Sequence, residues 1–190
     1  MLKFKKSFRY FILFTFLQLC FCGVLNTQGN MDSDQYKAQE ENVKGLKALS
    51  EGKWEDAEKN FRASSDLNPS SPEYAGNVGI AMINQGKGKD SVAYFIKSIE
   101  IDPDYAKGYY NLGVCYQNLA DYKQSVKNYE KALFLVPTMV EARFNLGMVY
   151  GFLGEKSKAK SNYEEFIRLA PKVTFQRQIT DAKNKIKELE

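Results

Sequence analysis

AKGYYNLGVCYQNLADYKQSVKNYEKALFLVPTM, residues 106–139, sets the organisation of the chain, because its pattern recurs on both sides at one spacing. Its marked positions are Tyr109, Leu112, Gly113, Tyr116, Ala120, Asp121, Tyr122, Ser125, Tyr129, Ala132, Leu133 and Pro137. Shifted by 34 residues, segment 140–173 supplies Leu146, Gly147, Tyr150, Gly154, Ala159, Tyr163, Phe166, Ile167 and Pro171. Segment 72–105 supplies Val78, Gly79, Met82, Gly86, Ser91, Phe95, Ser98, Ile99 and Pro103. Segment 38–71 keeps Gly45, Ala48, Gly52, Ala57, Phe61 and Pro69, but carries Lys44 where the others have Leu or Val, and is the most divergent of the four copies. A fixed period of this size marks stacked supersecondary units rather than one closed core.

Each unit reads as helix A, a short turn and helix B. In 106–139, Tyr109, Leu112, Tyr116 and Leu119 line one helical face, and Val126, Tyr129 and Leu133 another. Gly45, Gly79, Gly113 and Gly147 each cost a helix interior about 1 kcal/mol against Ala, so close approach of helices A and B is expected there. Asp121 is placed to cap helix B, with Gln124 as the second half of a capping box. Pro69, Pro103, Pro137 and Pro171 end each helix B by denying the preceding residue a helical conformation. A helix pair buries its apolar face only against its neighbours, so the last unit needs a cover. Residues 174–190 provide it, with Phe175, Ile179, Ala182, Ile186 and Leu189 on one stripe and Lys183, Lys185 and Lys187 largely off it.

This pattern resembles the tetratricopeptide repeat, in which an aromatic, Leu-Gly, Tyr, Ala, Phe or Tyr, Ala and Pro recur over two antiparallel helices. The resemblance implies an all-α fold, a right-handed α-solenoid of four helix pairs with repeats at 38–71, 72–105, 106–139 and 140–173 plus a C-terminal capping helix at 174–190. It implies protein binding in general and no particular partner.

The N-terminal 25 residues differ in kind. Lys3, Lys5, Lys6 and Arg9 precede an apolar run from Tyr10 to Leu25, the signature of an export signal, a little short for a membrane span of about 20 residues. Residues 1–25 are therefore read as an export signal or membrane anchor, 26–34 as a polar linker and 35–190 as the repeat domain, with Ser33 or Asp34 capping a first helix near Gln35. Three fates of the signal are open. Cys22 is a lipidation candidate: Leu19 stands as in a bacterial lipobox, but Phe21 fills the place of a small residue. Cleavage after a small residue would release a soluble periplasmic protein, and an uncleaved segment would anchor the chain. All three place the domain beyond the inner membrane.

The four basic residues of this segment, against no acidic one, account for the excess in a chain with 27 Lys and Arg and 23 Asp and Glu. The remainder is balanced, so no nucleic-acid footprint is expected, and membrane contact is confined to the N-terminal segment. Past the signal only Cys115 remains, read as a small core residue. Trp54, opening helix B of the first unit, is read as an aromatic plug between helices. Gly86-Lys87-Gly88-Lys89 lacks the rest of a phosphate-loop pattern and sits at an A–B turn.

With no histidine, His-based triads and His-ligated zinc are excluded. The carboxylates sit mostly on solvated helix faces, no cofactor site is expected, and the chain is read as no enzyme. The resemblance places the A helices on a concave groove. Candidate peptide-binding residues there are Asn77, Lys107, Tyr110, Asn111, Phe144, Asn145, Met148 and Phe152, with Ile80, Ile83, Val114 and Gln117 nearby. Asn77, Asn111 and Asn145 lie 34 residues apart, and such a ladder could hold an extended backbone. The alternative is that each bonds to the neighbouring helix. Three neutral hydrogen bonds contribute about 3 kcal/mol, whereas micromolar affinity needs about 8, so apolar side chains must carry most of any binding. Tyr110, Phe144, Met148 and Phe152 are the candidates, unless they pack between successive A helices. The carboxylate clamp of chaperone-binding repeats maps onto Asn42, Leu46, Asn77, Lys107 and Asn111, of which only Asn77 and Lys107 match that motif. The expected function is a non-catalytic scaffold of the bacterial envelope that binds a peptide or partner protein. The alternative is a carrier of a lipid or small hydrophobic ligand, and a homo-oligomer formed through the groove and cap helix is a further expectation.

Overall fold

The computed structural model describes residues 33–190; residues 1–25, read from sequence as an export signal or anchor, and with them Cys22, lie outside the described residues. Among these, nine helices and no strands occur: α1 at 33–50, α2 Trp54–Leu67, α3 Pro72–Asn84, α4 Gly88–Ile101, α5 Ala106–Asn118, α6 Tyr122–Leu135, α7 Val140–Phe152, α8 Lys156–Leu169 and α9 Gln176–Leu189. They stack as four A/B pairs, α1/α2 to α7/α8, in a right-handed solenoid closed by α9. The first helix is already formed at residue 33, so Ser33 and Asp34 lie within it rather than capping a helix that begins at Gln35. Asp34 instead pairs with Lys37, one turn on, at 3.4 Å.

The reason for the repeated glycine is visible in every unit. A Cβ on Gly45, Gly79, Gly113 or Gly147 would stand 2.6, 2.8, 2.7 or 2.8 Å from the ring of Phe61, Phe95, Tyr129 or Tyr163 respectively. Helix B of each unit drives one aromatic side chain against helix A, and only a bare backbone accepts it. These four rings are buried.

The A–B turns share a left-handed residue, supplied by Gly52, Gly86 and Gly154 in three units and by Ala120, at φ 58°, in the third. Asp121 then caps α6, accepting from the Gln124 backbone N–H at 3.2 Å. Only that half of the expected capping box forms, because the Asp121 N–H is already committed to the Tyr116 carbonyl at 2.9 Å. Each helix B stops at the residue before its proline: Asn68, Asp102, Val136 and Ala170 all leave the helical region.

The apolar interior falls into three clusters, since each unit packs only on its neighbours. The largest spans α6 to α9. Ala182 is fully buried in it, with Phe175, Ile179, Ile186 and Leu189 packed around, as the stripe requires. Phe175 sits at the N-cap of α9, one residue before the helix, because its N–H closes a turn on the Pro171 carbonyl. Cys115 is buried and free, 3.2 Å from Ser91 Oγ, and burial pushes its thiol pKa up. Successive A helices approach one another, α3 to α5 and α5 to α7, while the B helices splay. The array therefore curves with the A helices on its inner, concave side.

Candidate functional site, the concave groove

One apolar residue from each A helix recurs at the 34-residue spacing: Leu46 on α1, Ile80 on α3, Val114 on α5 and Met148 on α7. Leu46 is exposed and the other three are half-buried. This ladder is the floor of the groove.

The polar rungs beside it are differently engaged. Asn77 Nδ2 donates to Asn42 Oδ1 at 2.8 Å, and Asn145 Nδ2 donates to the Tyr110 hydroxyl at 3.3 Å. In both cases the acceptor stands 35 residues earlier, on the preceding A helix. The equivalent neighbour of Asn111 is Gly76: the Asn111 amide nitrogen lies 3.9 Å from where a Cβ on that glycine would stand. No side chain is present there to accept. Asn111 is thus the one rung whose amide meets no side-chain partner among the described residues, while Asn77 and Asn145 are spent on packing the units together. Lys107 is exposed at the start of α5.

Two of the aromatic candidates turn partly inward. Phe144 packs against the rings of Tyr163 and Phe166, at centroid distances of 5.8 and 5.1 Å. Tyr110 leans on Tyr129 at 5.9 Å, and burial raises its hydroxyl pKa. Tyr129 in turn donates to Gln117 Oε1 at 2.8 Å, which ties that groove residue to helix B. These side chains connect the groove to the core and leave it little free surface.

Met148 and Phe152 behave otherwise. Phe152 is 63% exposed, stacked on Tyr122 at 5.1 Å and 21°. Both residues line a cavity of about 300 Å³ closed by Gly151, Tyr163, Lys185, Glu188 and Leu189. Gly151 makes the room, since a Cβ there would meet nothing within 4 Å. Sequence reasoning missed Gly151, Lys185 and Glu188. A signal was present for the glycine, which replaces Ile83 and Gln117 of the earlier units; none marked the two charges, which come from the cap helix.

Among the described residues no group of three or more His, Cys, Asp or Glu is arranged to hold a metal ion. What the groove offers is an apolar strip with a free amide near its middle and a cavity at its C-terminal end.

Residues 106–139 and 140–173 each match a sequence model of the tetratricopeptide repeat. No curated protein matches the sequence. Solved structures share the fold. The crystal structure of MamA is 23% identical, covering 80% of this chain and 86% of its own, with a TM-score of 0.63. Pseudomonas aeruginosa pilF is 21% identical over 82% of this chain and 72% of its own, with a TM-score of 0.69. The first repeat domain of Spaghetti (RPAP3), bound to the HSP90 peptide SRMEEVD, is 24% identical over 63% of this chain and 94% of its own, with a TM-score of 0.60. The chain carries tetratricopeptide repeats in an all-helical solenoid.

Proposed function

We propose that this protein is a non-catalytic interaction scaffold that holds an apolar or amphipathic segment of a partner protein in its concave groove. The single observation that carries the reading is Phe152, a large aromatic exposed beside an open cavity at the end of the Leu46, Ile80, Val114 and Met148 ladder. An exposed apolar strip of this kind marks an interaction surface. The magnitudes rank the contacts. With Asn77 and Asn145 engaged internally, Asn111 contributes about 1 kcal/mol, whereas covering exposed Phe152 contributes about 1.5–3 kcal/mol and half-buried Met148 less, so micromolar binding also draws on Leu46, Ile80 and Val114. The peptide on the similarly folded RPAP3 domain supports a segment as the kind of ligand. That peptide's acidic end is not the expected chemistry here, since Asn77 is occupied by Asn42.

From the reading of residues 1–25, the scaffold works beyond the inner membrane of a bacterial-type envelope, released or tethered through Cys22 or an uncleaved anchor, in the assembly of an envelope complex. Co-purification of the full chain from its native envelope tests both parts. A protein partner lost on Phe152→Ser with Asn111→Ala, yet retained by Lys59→Ser on the exposed face of α2, places binding in the groove. Equal recovery by all three removes the groove from the interaction. Recovery of bound lipid with no protein favours the carrier reading instead.

A further inference from the structure

The convex side carries three successive clefts between B helices, related by the 34-residue register. The first is filled from within. Arg62 of α2 crosses to the Tyr94 hydroxyl and ring on α4 and holds the Glu58 carboxylate at 2.7 Å. In the second, Lys131 lies over the Tyr109 ring at 5.7 Å, and no buried polar side-chain atom lacks a partner.

The third differs. Between α6, α7 and α8 a cavity of about 490 Å³ has Leu133, Leu146 and Phe134 on its apolar side. Arg143 and Asn162 line it, and they carry two of the four buried side-chain nitrogen or oxygen atoms without a hydrogen-bond partner, Arg143 Nε and Asn162 Oδ1. The Asn162 amide nitrogen already donates to the Lys158 carbonyl at 2.9 Å, so its oxygen is left to accept. Glu130, the only carboxylate lining the cleft, accepts from the Tyr150 hydroxyl at 2.6 Å and forms no ion pair with Arg143. Lys131 adds positive charge at the rim over Phe134, while Lys158, also lining the cleft, is paired with Glu155 at 3.4 Å. A buried donor left unpaired is destabilising, the more so when charged, and a ligand that satisfies it removes that penalty.

We propose that this cleft binds an acidic segment of a protein in which Asp is followed by an aliphatic residue. The Asp carboxylate accepts from Arg143 and is favoured by the surrounding cations. The N–H of the following residue donates to Asn162 Oδ1, and its side chain lies on Leu133, Leu146 and Phe134. An acidic side chain with the next peptide N–H supplies the anion, the donor and the apolar group in one short stretch. This site is separate from the concave groove and stands whether or not that groove binds.

The test is an NMR titration of the full chain labelled at arginine Nε, using the blocked peptide acetyl-Gly-Asp-Leu-Gly-amide, whose only charge is the Asp. The Arg143 signal is identified by its loss in Arg143→Gln. It should move saturably with the peptide. The Asn analogue, acetyl-Gly-Asn-Leu-Gly-amide, should need at least about tenfold more for the same shift, the difference between a charge-assisted and a neutral hydrogen bond. Asn162→Ala should weaken binding several-fold while leaving the Arg143 signal in place. No movement at millimolar peptide overturns the proposal, as does equal movement with the Asn analogue. Movement with sodium octanoate but not with the peptide overturns it too, by making the ligand a small amphiphile.

Discussion

Gly113→Ala puts the packing argument at risk in a single substitution. The new Cβ would lie 2.7 Å from the Tyr129 ring. Carbon contacts are favourable at about 3.5–4.0 Å, so the ring must withdraw by about 0.8 Å or more. It has nowhere to go. Tyr129 is fully buried, leans on Tyr110 at 5.9 Å, and is held by its hydroxyl on Gln117 at 2.8 Å. Overpacking of this kind costs about 1–3 kcal/mol, and disturbing the hydroxyl adds about 1, against about 1 returned by the better helix propensity of Ala. The net is a loss of about 1–3 kcal/mol. Gly151→Ala is the control, since the same methyl meets nothing within 4 Å. It should stabilise by about 0.5 kcal/mol, the propensity gain reduced by its place near the helix end. Urea titration followed by circular dichroism measures both, provided the slope with denaturant is unchanged from the parent, because a solenoid can lose units separately. If Gly113→Ala is neutral or stabilising, the repeated glycine is not there to admit the aromatic ring.

Ala120→Gly should stabilise by about 0.5 kcal/mol in the same assay, by relieving a left-handed Ala at the turn where the other units have Gly. Asp121→Ala should cost about 1 kcal/mol through loss of the α6 cap, with no change in oligomeric state by sedimentation. Cys115 and the buried Tyr129 and Tyr163 all have folded-state pKa values raised, first by burial. Their contribution is therefore fully present below the unfolded values and lost above them, so stability should hold from neutral pH and fall once pH passes about 9; an unchanged urea midpoint through that range would refute it. Truncation before α9 should expose the Tyr163 and Phe166 surface, seen as dye binding and self-association, whereas a monomer without dye binding would show that α9 is no cap.

The fold was legible because the period itself encodes packing. Gly113 and Tyr129 are 16 residues apart in sequence, and the same pairing at Gly45 and Phe61, Gly79 and Phe95, and Gly147 and Tyr163 states four times which residues touch. The groove was less so. Position by position, Asn77, Asn111 and Asn145 look alike, but their fates depend on what stands 35 residues earlier, and Asn42, Gly76 and Tyr110 differ. That comparison runs between units rather than within one. Tyr110 and Phe144 sit at the edge between groove and core, and a helical wheel does not say how far the next A helix leans over them. Sequence reading put the start of α1 near Gln35 because Ser33 and Asp34 are good caps in isolation, and nothing local shows that both already belong to the helix.

Cross-unit bonding also changes along the array, and the change bears on where partners dock. Between the first two units, Gln85 reaches the Trp54 carbonyl and Glu58, Lys87 reaches Glu58, Arg62 reaches Tyr94, and Asn77 reaches Asn42. Polar groups there are consumed in holding one unit to the next, which offsets the small apolar cluster of a divergent first repeat. Between the last two units the large aromatic cluster around Phe166 supplies that cohesion. Fewer polar side chains share the task there, Asn145 on Tyr110 and Tyr150 on Glu130, so Arg143 stands unpaired on one face, and on the other Phe152 projects beside a cavity. A solenoid whose neighbour contacts are strong in apolar surface can leave its polar and exposed aromatic groups to something outside the chain. By this argument binding belongs to the C-terminal half, residues 106–190, on both faces. Substitutions confined to α1 and α2 should then change stability more than affinity.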